Sequence, residues 1–263
     1  MKSGIQYYPF GSLLKKIIDN RGRTCPTAKT GLPLIATNCI KNEHLYPVFE
    51  NIRYVDQTTY KSWFRGHPEP GDMIFVLKGT PGRVAFVPDP VGFCIAQDMV
   101  AIRADEKKIY PKYLFSVLRS QQIQQEIEGL HVGTLIPHFK KGDFDDLQIP
   151  FVEEKLQKYV GDTYFFLSQK IDLLHRQNAT LEAMADALFR QCFVEDAQPD
   201  WKEGSLLELI ELVGGGTPKT SVSEYWDGDI PWLAGGDIAN NHKSFALDSE
   251  KSITQTKGIY TSL

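Results

Sequence analysis

The sequence predicts an α+β protein. A mixed α/β domain is expected over residues 1–150, a long coiled-coil-like helix over 151–193, and a partial repeat of the first domain over 194–263. Three observations lead there. Short apolar runs alternate with Gly- and Pro-bearing turns through the first 150 residues, the next 43 contain no proline, and the opening of the first domain then recurs.

Taken in order, the apolar spacing of residues 11–18 predicts a short amphipathic helix, and the apolar run 32–40, bounded by Gly31 and Asn42, predicts a strand. Asp56 suits the N-cap of a helix through Phe64, after which Pro68, Pro70 and Gly71 break the chain. Residues 73–77 and 83–87 flank Lys78-Gly79-Thr80-Pro81-Gly82 and read as a hairpin. Strand structure continues over 94–102, and Pro111 marks the start of a helix over 112–126.

Residues 151–193 differ in kind. Their single glycine is Gly161, and the seam positions fall at Leu156, Val160, Thr163, Leu167, Ile171, Leu174, Asn178, Leu181, Ala185 and Leu188, steps of three and four that make a nearly heptad seam. A helix of that length, on the order of 60 Å at about 1.5 Å per residue, outruns a domain of this size. The leucines Leu167, Leu174, Leu181 and Leu188 are therefore expected to seek another helix.

The repeat is visible in the residues. Gly11-Ser12-Leu13-Leu14 recurs as Gly204-Ser205-Leu206-Leu207, an offset of 193, and Leu32-Pro33-Leu34-Ile35-Ala36 recurs as Ile230-Pro231-Trp232-Leu233-Ala234, an offset of 198. That period is far beyond a solenoid repeat, so each copy is a domain. The second copy ends at Leu263, opposite Arg65, which gives the expectation of a second domain cut short.

Composition narrows the function classes. No apolar run approaches the roughly 20 residues of a membrane span, and the N-terminus is too polar for a signal peptide, so a soluble cytoplasmic protein without a membrane partner is expected. Cys25, Cys39, Cys94 and Cys192 are widely separated with no CxxC, which predicts reduced thiols and no metal site. The net charge of −4 hides an asymmetry: residues 1–150 hold 19 Lys and Arg against 15 Asp and Glu, a net +4, and the remainder is at −8. A mildly basic first domain permits phosphate contacts without requiring them.

Catalytic readings fare poorly. Pro88-Asp89 followed by Glu106-Lys107-Lys108 matches the bare pattern of metal-dependent nucleases, but the Glu-Lys-Lys stretch falls after its strand and reads as a charged turn. No phosphate-binding Gly-x-x-x-x-Gly-Lys-Ser/Thr loop is present, and no Asn/Asp-Pro-Pro-aromatic string of the adenine methyltransferases. No catalytic residue is expected.

Arg176-Gln177-Asn178 with residues 180–189 (Thr-Leu-Glu-Ala-Met-Ala-Asp-Ala-Leu-Phe) resembles the central helix of type I restriction-modification specificity subunits. Gly133-Thr134-Leu135-Ile136-Pro137-His138 with Leu147-Gln148-Ile149-Pro150 resembles the close of that family's target recognition domain, and Gly214-Gly215-Gly216-Thr217-Pro218 with Asp229-Ile230-Pro231-Trp232 resembles the opening of one. The resemblance implies a non-catalytic DNA-reading subunit in which two recognition domains each read half of a split target, held apart by two antiparallel helices that dock methyltransferase subunits. It implies double-stranded DNA, a DNA adenine methyltransferase subunit and the restriction subunit as partners. S-adenosylmethionine, ATP and Mg would belong to those partners, with no cofactor on this chain. This sequence supplies one complete reader and one strut, so pairing with a second copy through the helix would recreate the missing half.

Base readout needs bidentate donors on loops, and phosphates need cations. The candidates are Arg21, Arg23 and Lys29; Asn38 and Lys41; Lys78, Thr80 and Arg83; and His138, Lys140 and Lys141. Arg21, Arg23 and Arg83 stand out because glycine neighbours permit close backbone approach. The competing reading is an interaction protein that binds the methyltransferase through the helix and alters assembly without reading DNA.

Overall fold

The computed structural model describes residues 5–20, 24–95, 97–130, 137–202, 204–241 and 249–255. The chain divides into two compact units, residues 1–191 and 192–263.

The first unit runs β1 (Gln6–Pro9), β2 (Leu14–Ile18), β3 (Leu32–Ile35), β4 (Arg53–Val55), α1 (Gln57–Ser62), β5 (Met73–Val76), β6 (Val84–Phe86), β7 (Cys94–Ile95), β8 (Met99–Ala104), α2 (Pro111–Leu118), α3 (Gln121–Leu130), β9 (Gln148–Phe151) and α4 (Glu154–Arg190). An antiparallel sheet in the order β2-β8-β5-β6 lies beside a three-stranded sheet β4-β3-β7, and β1 and β9 form a separate antiparallel ribbon. The second unit contains β10 (Trp226–Trp232), α5 (Gly235–Asn241) and β11 (Lys251–Ile253).

The central strand β5 explains the layering. Its residues face alternate sides of the sheet, and both sides are covered, so Met-Ile-Phe-Val-Leu is apolar without interruption. Met73, Phe75 and Leu77 join Phe10, Phe115, Phe139, Phe144 and Phe165 in one core. Ile74 and Val76 join Ile35, Ile40, Phe93 and Ile95 in the other, so the second face is covered by the three-stranded sheet. The fully buried Phe75 ring meets Phe10, Phe139 and Phe144 at centroid distances of 5.6–5.9 Å.

Several elements depart from expectation. Residues 11–18 are not a helix: Phe10–Leu13 form one 3-10 turn, and Leu14–Ile18 is a strand on β8. A register shift between Leu14 and Lys16 lets Leu13, Leu14, Ile17 and Ile18 all pack inward. A bulged strand and a helix turn thus share one apolar spacing, and pairing with β8 decides between them. The strand expected over 32–40 ends at Ile35 in favour of a 3-10 turn, Thr37–Cys39. Strand 94–102 is split by Asp98, whose φ is +69° and whose carbonyl accepts the Leu77 and Lys78 N–H groups. Helix 112–126 becomes α2 and α3, divided at Arg119-Ser120, where the Ser120 hydroxyl accepts the Ile123 N–H. The long helix begins three residues later than expected because Phe151 is paired with Gln6 in β1–β9.

Two expectations hold in detail. The Asp56 carboxylate caps α1 by accepting the Thr59 N–H at 2.6 Å, which holds its carboxyl below the usual range. The repeat is structural as well as textual: β3 pairs with β4 as Leu32↔Val55, Pro33↔Tyr54 and Leu34↔Arg53, and β10 pairs with β11 as Ile230↔Ile253, Pro231↔Ser252 and Trp232↔Lys251. Every pair is displaced by the same 198 residues read from the sequence.

One ion pair anchors the central sheet. Asp72, 1% exposed, accepts Arg103 Nε at 2.7 Å, Arg103 Nη2 at 3.0 Å and the Glu69 N–H at 2.8 Å. Asp72→Ala would leave the guanidinium with the exposed Glu69 carboxylate alone, 2.8 Å from Nη1, and because Arg103 also keeps 22% exposure the expected cost is about 2–3 kcal/mol, below the full range for a broken buried pair. Urea unfolding of the full chain measures it. A loss under 1 kcal/mol would mean that Glu69 and solvent together compensate Arg103.

Candidate nucleic-acid interface

The β5–β6 turn is built to be rigid. Gly79 and Gly82 have φ near +86° and +89°, conformations that glycine adopts without strain. The Gly82 N–H returns to Val76 O, and the Gln124 carboxamide of α3 donates to Gly82 O at 2.8 Å and Leu118 O at 2.6 Å. A Cβ at Gly82 would lie 3.1 Å from the Ile127 side chain, so this glycine serves the packing of the turn on α3.

The same turn is zipped to the segment after α3. Lys78 bridges His138 in antiparallel register, the Gly79 N–H donates to Pro137 O, and the Phe139 N–H donates to Leu77 O. Phe139 is fully buried, while Lys140 and Lys141 are exposed and His138 is half-buried. The Lys140 N–H donates to the Asp143 carboxylate at 3.0 Å, which begins a 3-10 turn and fixes where the lysines leave the surface. Lys78, His138, Lys140 and Lys141, separate in sequence, therefore share one patch.

Asp19 and Asn20 extend that patch. Lys141 Nζ lies 4.0 Å from the Asp19 carboxylate, and Arg65 Nη1 donates to Asp19 O at 3.4 Å. Asn20, 3% exposed, donates to Gly66 O and Ile95 O at 3.0 Å each and accepts the Arg65 N–H at 2.8 Å. One buried carboxamide thus fixes three chain segments beneath the cationic surface, with its hydrogen-bonding capacity used. Arg65 was missed in the sequence although Arg65-Gly66 meets the glycine-neighbour criterion applied to Arg21 and Arg23. Asn20 gave no such signal, because an Asn before Arg-Gly reads as a solvated turn.

The other candidates are placed differently. Lys41 is paired with Glu50, whose carbonyl also accepts the Asn38 carboxamide at 2.8 Å, so these side chains brace their own loop. Lys29 is exposed beside the Ala28↔Tyr54 bridge. The Thr80 hydroxyl is buried inside the turn, and Arg83 is half-buried at the start of β6. Arg21, Arg23 and residues 133–136 lie outside the described residues. The Glu106-Lys107-Lys108 stretch forms a turn after β8, with Lys108 donating to Ser12 O at 2.8 Å. Burial pushes the Cys94 thiol up to about 12, which leaves it chemically quiet.

Along α4 the seam leucines Leu167, Leu174, Leu181 and Leu188 are 61%, 42%, 61% and 62% exposed. Among the described residues, no helix is long and apolar enough to cross a membrane.

A family model described as the type I restriction modification DNA specificity domain matches residues 12–183. The type I restriction enzyme MjaIX specificity subunit of Methanocaldococcus jannaschii is 34% identical over 67 residues, covering 26% of this chain and 16% of that protein. Among solved structures, the chain is similar to a type I restriction-modification system S subunit from M. genitalium, with 19% identity and a TM-score of 0.50 over 89% of this chain and 60% of that one. It is also similar to the HsdS subunit from Thermoanaerobacter tengcongensis, at 17% identity and a TM-score of 0.48 over 91% and 63% of the two chains. The chain spans less than two thirds of each of these relatives.

Proposed function

The chain belongs to the type I restriction-modification DNA specificity domain family, and from that premise we propose that its first unit reads one half of a split DNA target while α4 serves as spacer and as docking helix for adenine methyltransferase subunits. It performs no chemistry itself. S-adenosylmethionine, ATP and Mg act on the partner subunits, the restriction subunit joins the same complex, and the apolar seam of α4 pairs with a second copy.

The observation that carries the reading is the convergence of Lys78, His138, Lys140, Lys141 and Arg65 on a surface fixed from beneath by Asn20. Exposed cationic side chains on a hydrogen-bonded base suit phosphate contacts, since little backbone ordering is required on binding. Arg21, Arg23 and Arg83 are proposed to reach base edges, with Lys29, Asn38 and Lys41 as secondary contacts; the buried Thr80 hydroxyl is left to the turn itself. The exposed seam favours an assembly role under either reading, so the test must ask about DNA. Methylation mapping in a host expressing this chain with its methyltransferase should reveal modified adenines in a defined motif. Random or absent modification would favour the assembly-only protein.

Within the patch, readers and holders separate by salt. Arg83→Ala should cost about 1–3 kcal/mol on the mapped site and relax preference at one base position. Lys140→Ala and Lys141→Ala should weaken cognate and non-cognate DNA alike and flatten the salt dependence by about one unit of slope each. Competition binding at two salt concentrations distinguishes them, and an Arg83 variant with unchanged base preference moves the readout to another loop.

A further inference from the structure

The loop that carries Asn38 and Lys41 touches the strut through two imidazoles. His44 Nδ1 lies 3.3 Å from His175 Nδ1 of α4, with ring centroids 4.6 Å apart and planes inclined by 50°. We infer that His44 and His175 form a proton-dependent latch that positions the loop of residues 37–50 on α4. Two nitrogens at this distance bond only when one carries a hydrogen and the other offers a lone pair. The contact therefore tolerates no extra proton or one, and a second extra proton turns both nitrogens into donors and sets two positive charges side by side.

The surroundings favour retention of the neutral acceptor. Burial and the neighbouring His175 hold the His44 imidazole below its ordinary range, Glu43 and Asp172 oppose this, and Lys41 reinforces it. On α4, Asp172 is 7% exposed and its carboxylate is engaged by Arg176 Nε at 3.1 Å, which blunts its pull on the histidines. Tyr46 on the loop faces Asp172, Arg176 and Lys112, and Arg119 at the end of α2 faces Glu43. Because the folded state disfavours the charged His44, the stabilisation is present above the unfolded histidine value of 6.5 and is lost as pH falls below it.

Asn42, two residues before His44, explains why the latch matters for reading. Asn42 Oδ1 accepts the Val84 N–H at 3.2 Å, so the segment held by His44 also touches the start of β6, next to Arg83. The strut, the 37–50 loop and the β5–β6 turn are thereby linked through hydrogen bonds. This consequence rests on the proposed DNA reading; the latch itself does not.

Hydrogen exchange of the full chain at pH 7.5 and 5.5, corrected for intrinsic rates, tests it. Wild-type protection in residues 41–46 should fall about tenfold at the lower pH, near the upper end of what one hydrogen bond is worth. His175→Gln keeps a polar, non-titrating partner, so it should retain protection at pH 7.5 and lose the pH step. An equal step in His175→Gln, or none in wild type, overturns the latch, as would imidazole nitrogen spectra in which both rings titrate independently near the ordinary value. Cognate DNA affinity of the methyltransferase-bound chain, read as wild type minus His175→Gln at the two pH values, should show the same step. An exchange step without an affinity step overturns the positioning of the reading loop. No sequence-preferring binding at either pH, with the exchange step intact, counts against DNA reading and leaves the latch standing.

Discussion

Gly161→Val is expected to detach the long helix from α2 and the core of the first unit, at a cost of about 3 kcal/mol or more. A Cβ at Gly161 would sit 2.5 Å from Tyr113 N and 2.8 Å from Lys112 C, both backbone atoms of α2 that cannot rotate away. Around that contact the two helices are joined by specific bonds. Gln157 Oε1 accepts the Tyr110 N–H at 2.9 Å, Asp162 accepts the Tyr110 hydroxyl at 2.9 Å and Lys112 Nζ at 2.8 Å, and the Lys112 ammonium lies 4.7 Å and 4.8 Å from the Phe165 and Phe166 ring centroids. Separating the backbones to admit a side chain breaks all of these together and uncovers Phe165, which packs on Phe86 at 5.0 Å. Gly129→Ala is the control, because nothing lies within 4 Å of its added methyl in α3 and a helical glycine costs roughly 0.5–1 kcal/mol relative to alanine. Denaturant unfolding should show stability changes of opposite sign, a loss for Gly161→Val and a gain for Gly129→Ala. A Gly161→Val protein as stable as wild type would mean that α4 docks elsewhere.

What the sequence made legible follows the same division between local and tertiary causes. The run Met73–Val76 could be placed because both faces of its strand are buried, so no polar residue interrupts it. The repeat could be placed to the residue because strand register in β3–β4 and β10–β11 depends on short-range spacing. Residues 11–18 were misplaced because their spacing suits two structures, and only the later strand β8 selects one. Gly161 was visible as the lone glycine of the long helix, yet its purpose lies in the α2 backbone some fifty residues earlier.

For the candidate site, residue type was legible and company was not. Lys78 and His138 are sixty residues apart, and their bridge depends on the register that Phe139 and Leu77 impose. Lys41 reads as a free cation until Glu50 is seen beside it. Asn20 and His44 carry no sequence signature, because their roles consist entirely of what the fold brings to them.

Replacing Leu174 and Leu181 together with lysine is expected to abolish the proposed self-pairing through α4 while leaving the first unit folded. The two leucines are 42% and 61% exposed, so neither contributes to the core of its own unit, and the substitutions leave that core untouched. In a two-fold pair each substitution appears twice. At about 2–5 kcal/mol for each buried leucine lost, before the cost of burying an ammonium, the penalty is on the order of 10 kcal/mol and exceeds what a single helical seam supplies. Light scattering should show the wild-type chain, alone or with methyltransferase, as a species containing two copies, and the double variant as a species containing one. The proposed two-fold pair would also dictate the DNA, since identical readers related by symmetry would meet identical half-sites, and modified adenines should then map to a palindrome split by unread bases. Loss of the paired mass with the variant should therefore abolish modification of that palindrome even though each recognition unit still binds a half-site. An unchanged mass would show that the seam is covered by something other than a second copy. An asymmetric split motif, found with no other specificity subunit present, would show that one chain supplies both readers.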